Sequence, residues 1–282
     1  MNYHDLNPIE HGVNWSALKV LLTTSPLHFY NRFMLGFASP SSAAMTFGRL
    51  IHCAILHQEF VVKPEAPSDR PTYFRTKEGK AEMELWKARN KNRDIVSSAD
   101  MDKAMAMVAA LQGKKQSRFW LWDCEGINEQ AYQWEVEVPE FSLPVLCRGK
   151  MDRVAIVDGK KYIVDYKSTA KTPTMGSFGR TIGEYLYHAQ LAFYADGEGA
   201  DGAIIVAQET SAPYDSTVFM LSDDLMDEGR RIYATALQRY ADCVLNHKTE
   251  APDSTVQAWP GLPEQQEITL GNLGGWAERS FG

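Results

Sequence analysis

The sequence contains no closely spaced pair of cysteines. Its four cysteines, Cys53, Cys124, Cys147 and Cys243, lie far apart, and none belongs to a CxxC motif. Structural zinc sites and iron–sulfur clusters usually use closely spaced cysteines, so the spacing supports neither kind of site. We expect four free thiols that are buried or half-buried.

The sequence also lacks a long apolar run and a signal-peptide pattern. Its apolar stretches are far shorter than the roughly 20 residues that span a bilayer. Residues 1–12 are polar and lack the basic-then-apolar order of a signal peptide. Of the 282 residues, 44% are hydrophobic, which suffices for a substantial core. We therefore expect a globular protein of the cytoplasm that does not associate with membranes.

An excess of positive charge is absent too, since the net charge is −7. Taken alone, this argues mildly against a general nucleic-acid coat. The charge is unevenly distributed, however, because residues 148–180 contain eight Lys or Arg and three Asp. That segment is either a local site for a polyanion or the solvated face of a hairpin, and the charge pattern does not decide between them.

Helical patterns dominate residues 1–116. The first three predicted helices follow polar residues suited to N-capping, namely Asn14, Ser25 and either Ser41 or Ser42. Two further predicted helices span 76–92 and 98–116, after a proline-containing loop at 61–75.

The pattern then changes to segments rich in Val, Ile, Tyr and Trp. The predicted strands are Ala131–Val138, Val145–Val157, Lys160–Ser168, Ala203–Glu209 and Thr217–Leu221. Helical spacing returns at 181–196 and at Asp223–Leu245. This order predicts an α/β or α+β fold with a mixed sheet. We expect one domain, with a mainly helical part at 1–116, a core at 117–250 and an extended tail at 251–282.

A hairpin between the second and third predicted strands brings two aspartates together. Asp158-Gly159 is typical of a two-residue type I′ turn. With Val157 paired to Lys160, the continued register places Asp152 directly opposite Asp165. Opposed like charges repel across a sheet, so a cation between them would explain the pair, and at least one carboxylate should have a raised pKa without metal.

Lys167 shares the sheet face of Asp165, because side chains two residues apart point the same way. Two carboxylates and a lysine on one face suit a hard divalent cation and a phosphate. The alternative is that these are ordinary surface charges. Residues 162–166 are apolar on both faces, however, so the strand should be an interior one, where a lone aspartate is costly.

Two segments, Gly149–Arg153 and Ile163–Ser168, resemble the core of the RecB-like nucleases of the PD-(D/E)xK superfamily, and RecE-type exonucleases (the exonuclease VIII family) above all. Further matching segments follow the order of that family: Trp15–Lys19, Ser25–Tyr30, Gly48–His52, Glu129 with Trp134, and Tyr187–Tyr194. Together they are highly specific, although each alone would be weak. The chain departs from the family pattern in having Ser168 where Thr is usual, and it lacks the cysteines of the iron–sulfur relatives.

The resemblance implies a restriction-endonuclease-like core, in which a central mixed sheet is flanked by helices and extended by the N-terminal helical part. It also implies roles for individual residues. The implied metal ligands are His52, Asp152, Asp165 and the Tyr166 backbone carbonyl. The other implied catalytic residues are Lys167, Glu129, Gln190 and Tyr194, and the DNA-binding residues are Arg148, Lys150, Arg153 and Lys171. Glu129 remains equally interpretable as a surface carboxylate, and Tyr194 as a packing residue.

The activity implied is digestion of linear double-stranded DNA from its ends, assisted by one or two Mg²⁺ or Mn²⁺ ions. RecE-type enzymes degrade the 5′ strand, leave 3′ overhangs and work beside a RecT-like single-strand annealing protein. The resemblance further implies a ring-like homo-oligomer around DNA. Two other functions stay open, a RecB-like nuclease with another DNA substrate and an inactive DNA-binding or assembly protein.

Overall fold

The structure is a computed structural model of the chain, and it describes residues 6–37, 43–56, 61–90, 95–139, 141, 144–249 and 259–263. Its described helices precede, interrupt and follow one large sheet. The helices are α1 (Pro8–His11), α2 (Trp15–Thr23), α3 (Pro26–Phe29), α4 (Ala43–Ile55), α5 (Lys77–Arg89), α6 (Ser98–Gly113), α7 (Lys115–Arg118), α8 (Met175–Tyr185), α9 (Tyr187–Glu198) and α10 (Asp223–Thr249). None of the described helices is long and apolar enough to span a membrane.

The strands form one five-stranded mixed sheet and one short two-stranded sheet. They are β1 (Val61–Val62), β2 (Ile95–Val96), β3 (Glu125–Val136), β4 (Val145–Val157), β5 (Lys160–Thr169), β6 (Gly202–Glu209) and β7 (Ser216–Met220). The large sheet has the order β3-β4-β5-β6-β7, in which only β5 and β6 are parallel. The predicted mixed sheet with flanking helices is confirmed.

The N-terminal helices begin where the sequence predicts. The Asn14 side chain accepts a hydrogen bond from the backbone N–H of Ala17, and Ser25 caps the next helix with Pro26 at its first position. The third predicted cap, at Ser41 or Ser42, lies outside the described residues. A π-helical turn at Tyr30–Met34 extends α3.

The large sheet is buried on both faces. One hydrophobic cluster contains Ile163 and Ile205 together with residues of α2, α9 and α10. The other contains Val164 and Val206 together with residues of α4 and α6. Since β5 is the middle strand and contributes to both layers, the prediction of an interior strand at 162–166 is confirmed.

The main differences from the sequence prediction are at β3, at the helical region before β6 and in the C-terminal tail. β3 begins at Glu125, not at Ala131, and the helical region predicted at 181–196 is two helices. They are separated by Leu186, a non-glycine residue with φ of 55°. The predicted tail is also partly packed, because Trp259 is fully buried and stacks on Phe29 with ring centroids 5.2 Å apart. The four cysteines are free thiols, as predicted.

Candidate active site

The hairpin between β4 and β5 places Asp152 beside Asp165. The turn residues Asp158 and Gly159 both have positive φ, 52° and 75°, as a type I′ turn requires. The register runs from Val157↔Lys160 to Arg153↔Val164, and the next positions along it are the two aspartates. Asp152 Oδ2 accepts a hydrogen bond of 2.9 Å from the backbone N–H of Tyr166. The predicted hairpin register is confirmed up to the residues that flank the aspartates.

Glu129 on β3 lies next to Asp152, so Glu129, Asp152 and Asp165 form an acidic row across three strands. The β3–β4 pairing includes the residues on either side of Glu129 and Asp152 but not these two, which therefore face each other at a break in the ladder. Glu129 has φ of 56°, a left-handed conformation that is unusual for a residue with a side chain. Met151 and Val154 pack into the same hydrophobic layer, although residues three apart on a regular strand face opposite sides. The strand geometry is thus irregular where Asp152 lies.

Helix α4 brings His52 to this row. Leu50, Ile51 and Ile55 anchor the helix in the hydrophobic layer beneath it, and they leave His52 half-buried at the edge. His52 Nε2 lies 2.5 Å from Asp152 Oδ2, and Nδ1 lies 3.6 Å from Glu129 Oε1. The two ring nitrogens therefore approach two different carboxylates from β4 and β3.

Lys167 neutralises the second aspartate. Its Nζ donates to Asp165 Oδ1 at 3.0 Å and lies 2.8 Å from Oδ2. Oδ2 is buried, and beyond this ammonium contact it accepts no hydrogen bond from any described group. Asp165 is 3% exposed, so an ionised carboxylate there depends on nearby positive charge.

The electrostatics of the site differ between the two aspartates. Burial raises the pKa of Asp165 to about 6 and outweighs the ammonium of Lys167, with a smaller contribution from the Asp152 carboxylate. Burial also acts to raise the pKa of Asp152, but the His52 imidazolium, Lys167 and the Tyr166 N–H outweigh it, so the pKa of Asp152 is lowered. One raised carboxyl pKa agrees with the sequence-based expectation, although its main cause is burial, not repulsion.

The two basic side chains hold their protons more tightly than usual. Burial acts to lower the pKa of His52, but the carboxylates of Asp152 and Asp165 raise it by more. The same balance raises the pKa of Lys167 well above its ordinary value. Lys167 is therefore an ammonium at neutral pH in this arrangement, which suits stabilising a phosphate and does not suit taking a proton.

Two further residues lie near Lys167. The sequence analysis named them only as parts of longer segments. Lys167 Nζ lies over the Tyr187 ring, 4.7 Å from its centroid. Lys19 on α2 lies near enough for its charge to interact with that of Lys167, and burial together with this repulsion lowers the pKa of Lys19. The signal for Lys19 was its place in the Trp15–Lys19 segment, but no local pattern links it to Lys167.

Two of the four predicted DNA-binding residues are buried within the fold. Arg148 is 1% exposed and donates to the carbonyl oxygens of Gly12 and Leu6. Arg153 is 6% exposed and donates to Asn128 and to a backbone carbonyl. Both guanidinium groups are bonded within the fold, an arrangement that does not favour the predicted phosphate contacts of these two residues. Their positions in a basic segment gave no sign that the side chains would be buried against residues distant in sequence.

The other two predicted DNA-binding residues are accessible. Lys150 pairs with Glu129 and is partly exposed, and Lys171 is exposed just beyond β5. Gln190 is half-buried on α9, and Tyr194 is 8% exposed against Phe193 and Gly149. The contacts of Tyr194 suit the packing role that the sequence left open.

The residues at this site suit a divalent cation by their chemistry. They include an imidazole and two carboxylates, and beyond its Lys167 contact one buried Asp165 oxygen accepts no hydrogen bond from the residues that the structure describes. His52 Nε2 and Asp152 Oδ2 are closer than the roughly 3 Å between neighbouring donors around an octahedral cation with bonds of about 2.1 Å. In the part of the chain that the structure describes, no three His, Cys, Asp or Glu side chains are already spaced to hold a metal. Binding would therefore require the His52–Asp152 pair to open and His52 to lose its proton.

Comparisons with known proteins agree with this fold. A candidate exonuclease from Eubacterium rectale has a similar structure, with 13% identity, a TM-score of 0.57 and coverage of 98% of this chain and 97% of that one. A phage-related exonuclease from Haemophilus somnus 129PT covers 70% of this chain and 95% of its own with 14% identity, but its TM-score of 0.32 supports no argument. No protein of curated function is significantly similar in sequence. Residues 15–257 match the family described as a PDDEXK-like domain of unknown function (DUF3799), and the chain belongs to that family.

Proposed function

We propose that the protein is a divalent-metal-dependent exodeoxyribonuclease that degrades linear double-stranded DNA from its ends. The observation that most supports this proposal is the contact of His52 with Asp152 and of Lys167 with Asp165, on neighbouring strands of a PDDEXK-like fold. A structural role alone would not require four ionisable side chains at a partly buried position on the central strands, where desolvation is costly.

In this proposal, His52, Asp152 and Asp165 hold a Mg²⁺ or Mn²⁺ ion, with the Tyr166 carbonyl as a backbone ligand. When bound, the ion supplies positive charge to the phosphate and acidifies the attacking water. Glu129 is placed beside His52, where it would hold a second ion or orient a water molecule. Glu129 is also the partner of Lys150, so the row of carboxylates is neutralised from both sides.

Lys167 acts as a fixed positive charge in the hydrolysis. Water adds to phosphorus, the bond from phosphorus to the leaving sugar oxygen breaks, and negative charge builds on the phosphoryl oxygens. A half-buried ammonium beside Asp165 is held ready for that charge without reorganisation. The raised pKa of Lys167 favours this role over that of a general base.

The decisive experiment compares linear with closed circular duplex DNA, each labelled on one strand, with Mg²⁺ and with EDTA. We expect only the linear duplex to disappear, only with Mg²⁺, and only from its ends. Lys167→Ala is the matched inactive variant. Cutting of the circle would favour an endonuclease, and DNA binding without any cutting would favour an inactive DNA-binding protein.

Polarity, partner and assembly belong to the same proposal. By its resemblance to RecE-type enzymes, the protein removes the 5′ strand, leaves a 3′ overhang and hands it to a RecT-like annealing protein. Release of a 5′ label before a 3′ label tests the polarity. A ring-like homo-oligomer would keep the enzyme on its substrate, and sedimentation in solution tests that assembly.

DNA binding itself should depend little on base sequence. The accessible cations near the site, Lys150 and Lys171, suit phosphates more than base edges. We therefore expect the affinity in EDTA to fall steeply as salt rises. A footprint at one internal sequence of a duplex would argue against an end-directed enzyme.

A further inference from the structure

Two tyrosines beside Lys167 form an aromatic pair flanked by lysines. The Tyr185 and Tyr187 rings are stacked, with centroids 5.6 Å apart and planes inclined by 21°. Lys167 Nζ lies 4.7 Å from the centroid of Tyr187, and Lys19 Nζ lies 5.3 Å from the centroid of Tyr185. The order lysine, tyrosine, tyrosine, lysine leads from the proposed catalytic ammonium to the surface.

The backbone is shaped to bring the two rings together. Leu186 lies between them with φ of 55° and ψ of 39°, which ends α8 and begins α9. A non-glycine residue in this conformation is disfavoured by roughly 1–3 kcal/mol unless its surroundings hold it. Lys19 provides one such restraint, because its Nζ donates to the Tyr185 carbonyl at 2.9 Å and links α2 to this junction.

The outer end of the pair is open to a ligand. Tyr185 is 47% exposed, although large aromatic side chains are usually buried. Lys19 is half-buried close to a second cation, and no carboxylate pairs with it among the described residues. An unneutralised cation beside an exposed ring matches the two parts of a nucleotide, which are an anionic phosphate and a flat base.

We propose that Lys19 and Tyr185 form a subsite for one unpaired nucleotide of a DNA strand, next to the proposed cleavage site. The Lys19 ammonium moves from over the Tyr185 ring to the phosphate, and the base stacks on the ring face that it leaves. Tyr187 links this subsite to Lys167, so a strand bound there passes the catalytic ammonium. This inference rests on the proposed function, and it gives an end-directed enzyme a means of recognising a frayed end over an intact duplex.

Binding in EDTA tests the subsite without cleavage. The probes are a fluorescent oligothymidylate of ten nucleotides and an abasic strand with the same number of phosphates, both measured by anisotropy. We expect Tyr185→Ala to weaken oligothymidylate binding by roughly 5- to 150-fold, the range for loss of one stacked base. Binding of the abasic strand should not change, and Tyr185→Phe should bind like the wild type.

Lys19→Gln should weaken both probes alike and reduce the salt dependence, because it removes a phosphate contact and not a stacking surface. Tyr73→Ala is the matched control, since Tyr73 also has a cation over its ring, Arg70 at 4.8 Å, but lies against α5. It should bind both probes normally.

The subsite is refuted if the wild type and Tyr185→Ala bind oligothymidylate equally well. It is also refuted if the wild type binds neither probe, or if Tyr185→Ala weakens the binding of both probes by the same factor. The digestion assay is read separately. A base-dependent loss in Tyr185→Ala with an inactive wild type would support the subsite and refute the nuclease. If Tyr185→Ala binds both probes and digests linear DNA like the wild type, the nuclease proposal is supported and the subsite is refuted.

Discussion

At the scale of single residues, Lys167 is neutralised by its neighbours and still has a proposed role in catalysis. It is half-buried beside Asp165, and the carboxylates of Asp165 and Asp152 keep it protonated. We expect Lys167→Ala to lower the single-turnover rate by at least about 100- to 1,000-fold, as for loss of one preorganised charge. Metal binding, measured by calorimetry, should persist or tighten because the ammonium no longer competes for Asp165.

Lys160→Ala is the control for that variant, because Lys160 is an exposed lysine of the same strand, next to the hairpin turn. It should retain nearly full activity. Full activity of Lys167→Ala would remove its assigned role, and a folded Lys167→Ala protein that no longer binds metal would make Lys167 part of the metal site.

His52 should make the stability of the metal-free protein depend on pH. Its folded-state pKa is raised, so its stabilising effect is fully present below the unfolded value of about 6.5 and is lost as pH rises through the folded value. Asp152 has a pKa below its ordinary value, so it stays ionised at the pH values compared here. In EDTA, the melting temperature lost in His52→Gln should therefore be larger near pH 5.5 than near pH 8.

The exposed His11 provides the comparison, since His11→Gln should change the melting temperature little at either pH. A loss in His52→Gln that grows from pH 5.5 to pH 8 would mean that His52 is neutral in the folded protein. That outcome would contradict the ion pair with Asp152.

Among single residues, the sequence predicted the site better than its surroundings. The hairpin register depends only on a two-residue turn, so Asp152 and Asp165 could be placed together from local pattern. The burial of Arg148 and Arg153 depends on contacts with Gly12, Leu6, Asn128 and Cys124, which are distant in sequence. Charge counting along the chain cannot detect such contacts.

At the scale of elements, the close packing of β4 against α9 fixes the acidic row relative to the helix. A Cβ atom at Gly149 would lie 2.9 Å from two ring atoms of Tyr194 and 3.2 Å from Trp134. We expect Gly149→Ala to lower the free energy of unfolding by about 1–3 kcal/mol, the usual cost of overpacking. Urea unfolding measures this change.

Gly179→Ala gives the opposite case. Gly179 is exposed inside α8, and a Cβ atom there would meet nothing within 4 Å. This change should raise the free energy of unfolding by roughly 0.5–1 kcal/mol, because alanine is the better helix former. A Gly149→Ala protein as stable as the wild type would show that β4 and α9 do not pack this closely.

Two of the elements that the sequence misplaced contain or adjoin a non-glycine residue with positive φ. Leu186 divides one predicted helix into two, and Glu129 lies within a strand predicted to begin only at Ala131. Neither position carries Gly or Asn, the usual markers of a left-handed residue. Their conformations are imposed by tertiary packing, so periodicity and propensity cannot reveal them.

At the scale of the whole molecule, the sheet is enclosed by two hydrophobic layers, and the site lies where elements of both layers meet. Helix α4 belongs to one layer and provides His52, whereas α9 belongs to the other and provides Tyr187 beside Lys167. The burial of Trp259 shows that the C-terminal part contributes to this core as well. The alternation of apolar residues predicted the mixed sheet, but not which helices would meet at its edge.

Divalent metal should therefore stabilise the protein as a whole, because the proposed ligands come from α4, β4 and β5 and are together only in the folded state. A metal at 100 times its dissociation constant would add about 2.7 kcal/mol to the free energy of unfolding. For a chain of this length, this corresponds to a rise in melting temperature of roughly 5–10 °C. Asp152→Asn and Asp165→Asn should remove the rise, which calorimetry with Mg²⁺ or EDTA would measure. We do not expect either change to stabilise the metal-free protein, because His52 and Lys167 already neutralise these carboxylates. An equal rise in the wild type and in both variants would place the bound metal elsewhere in the molecule.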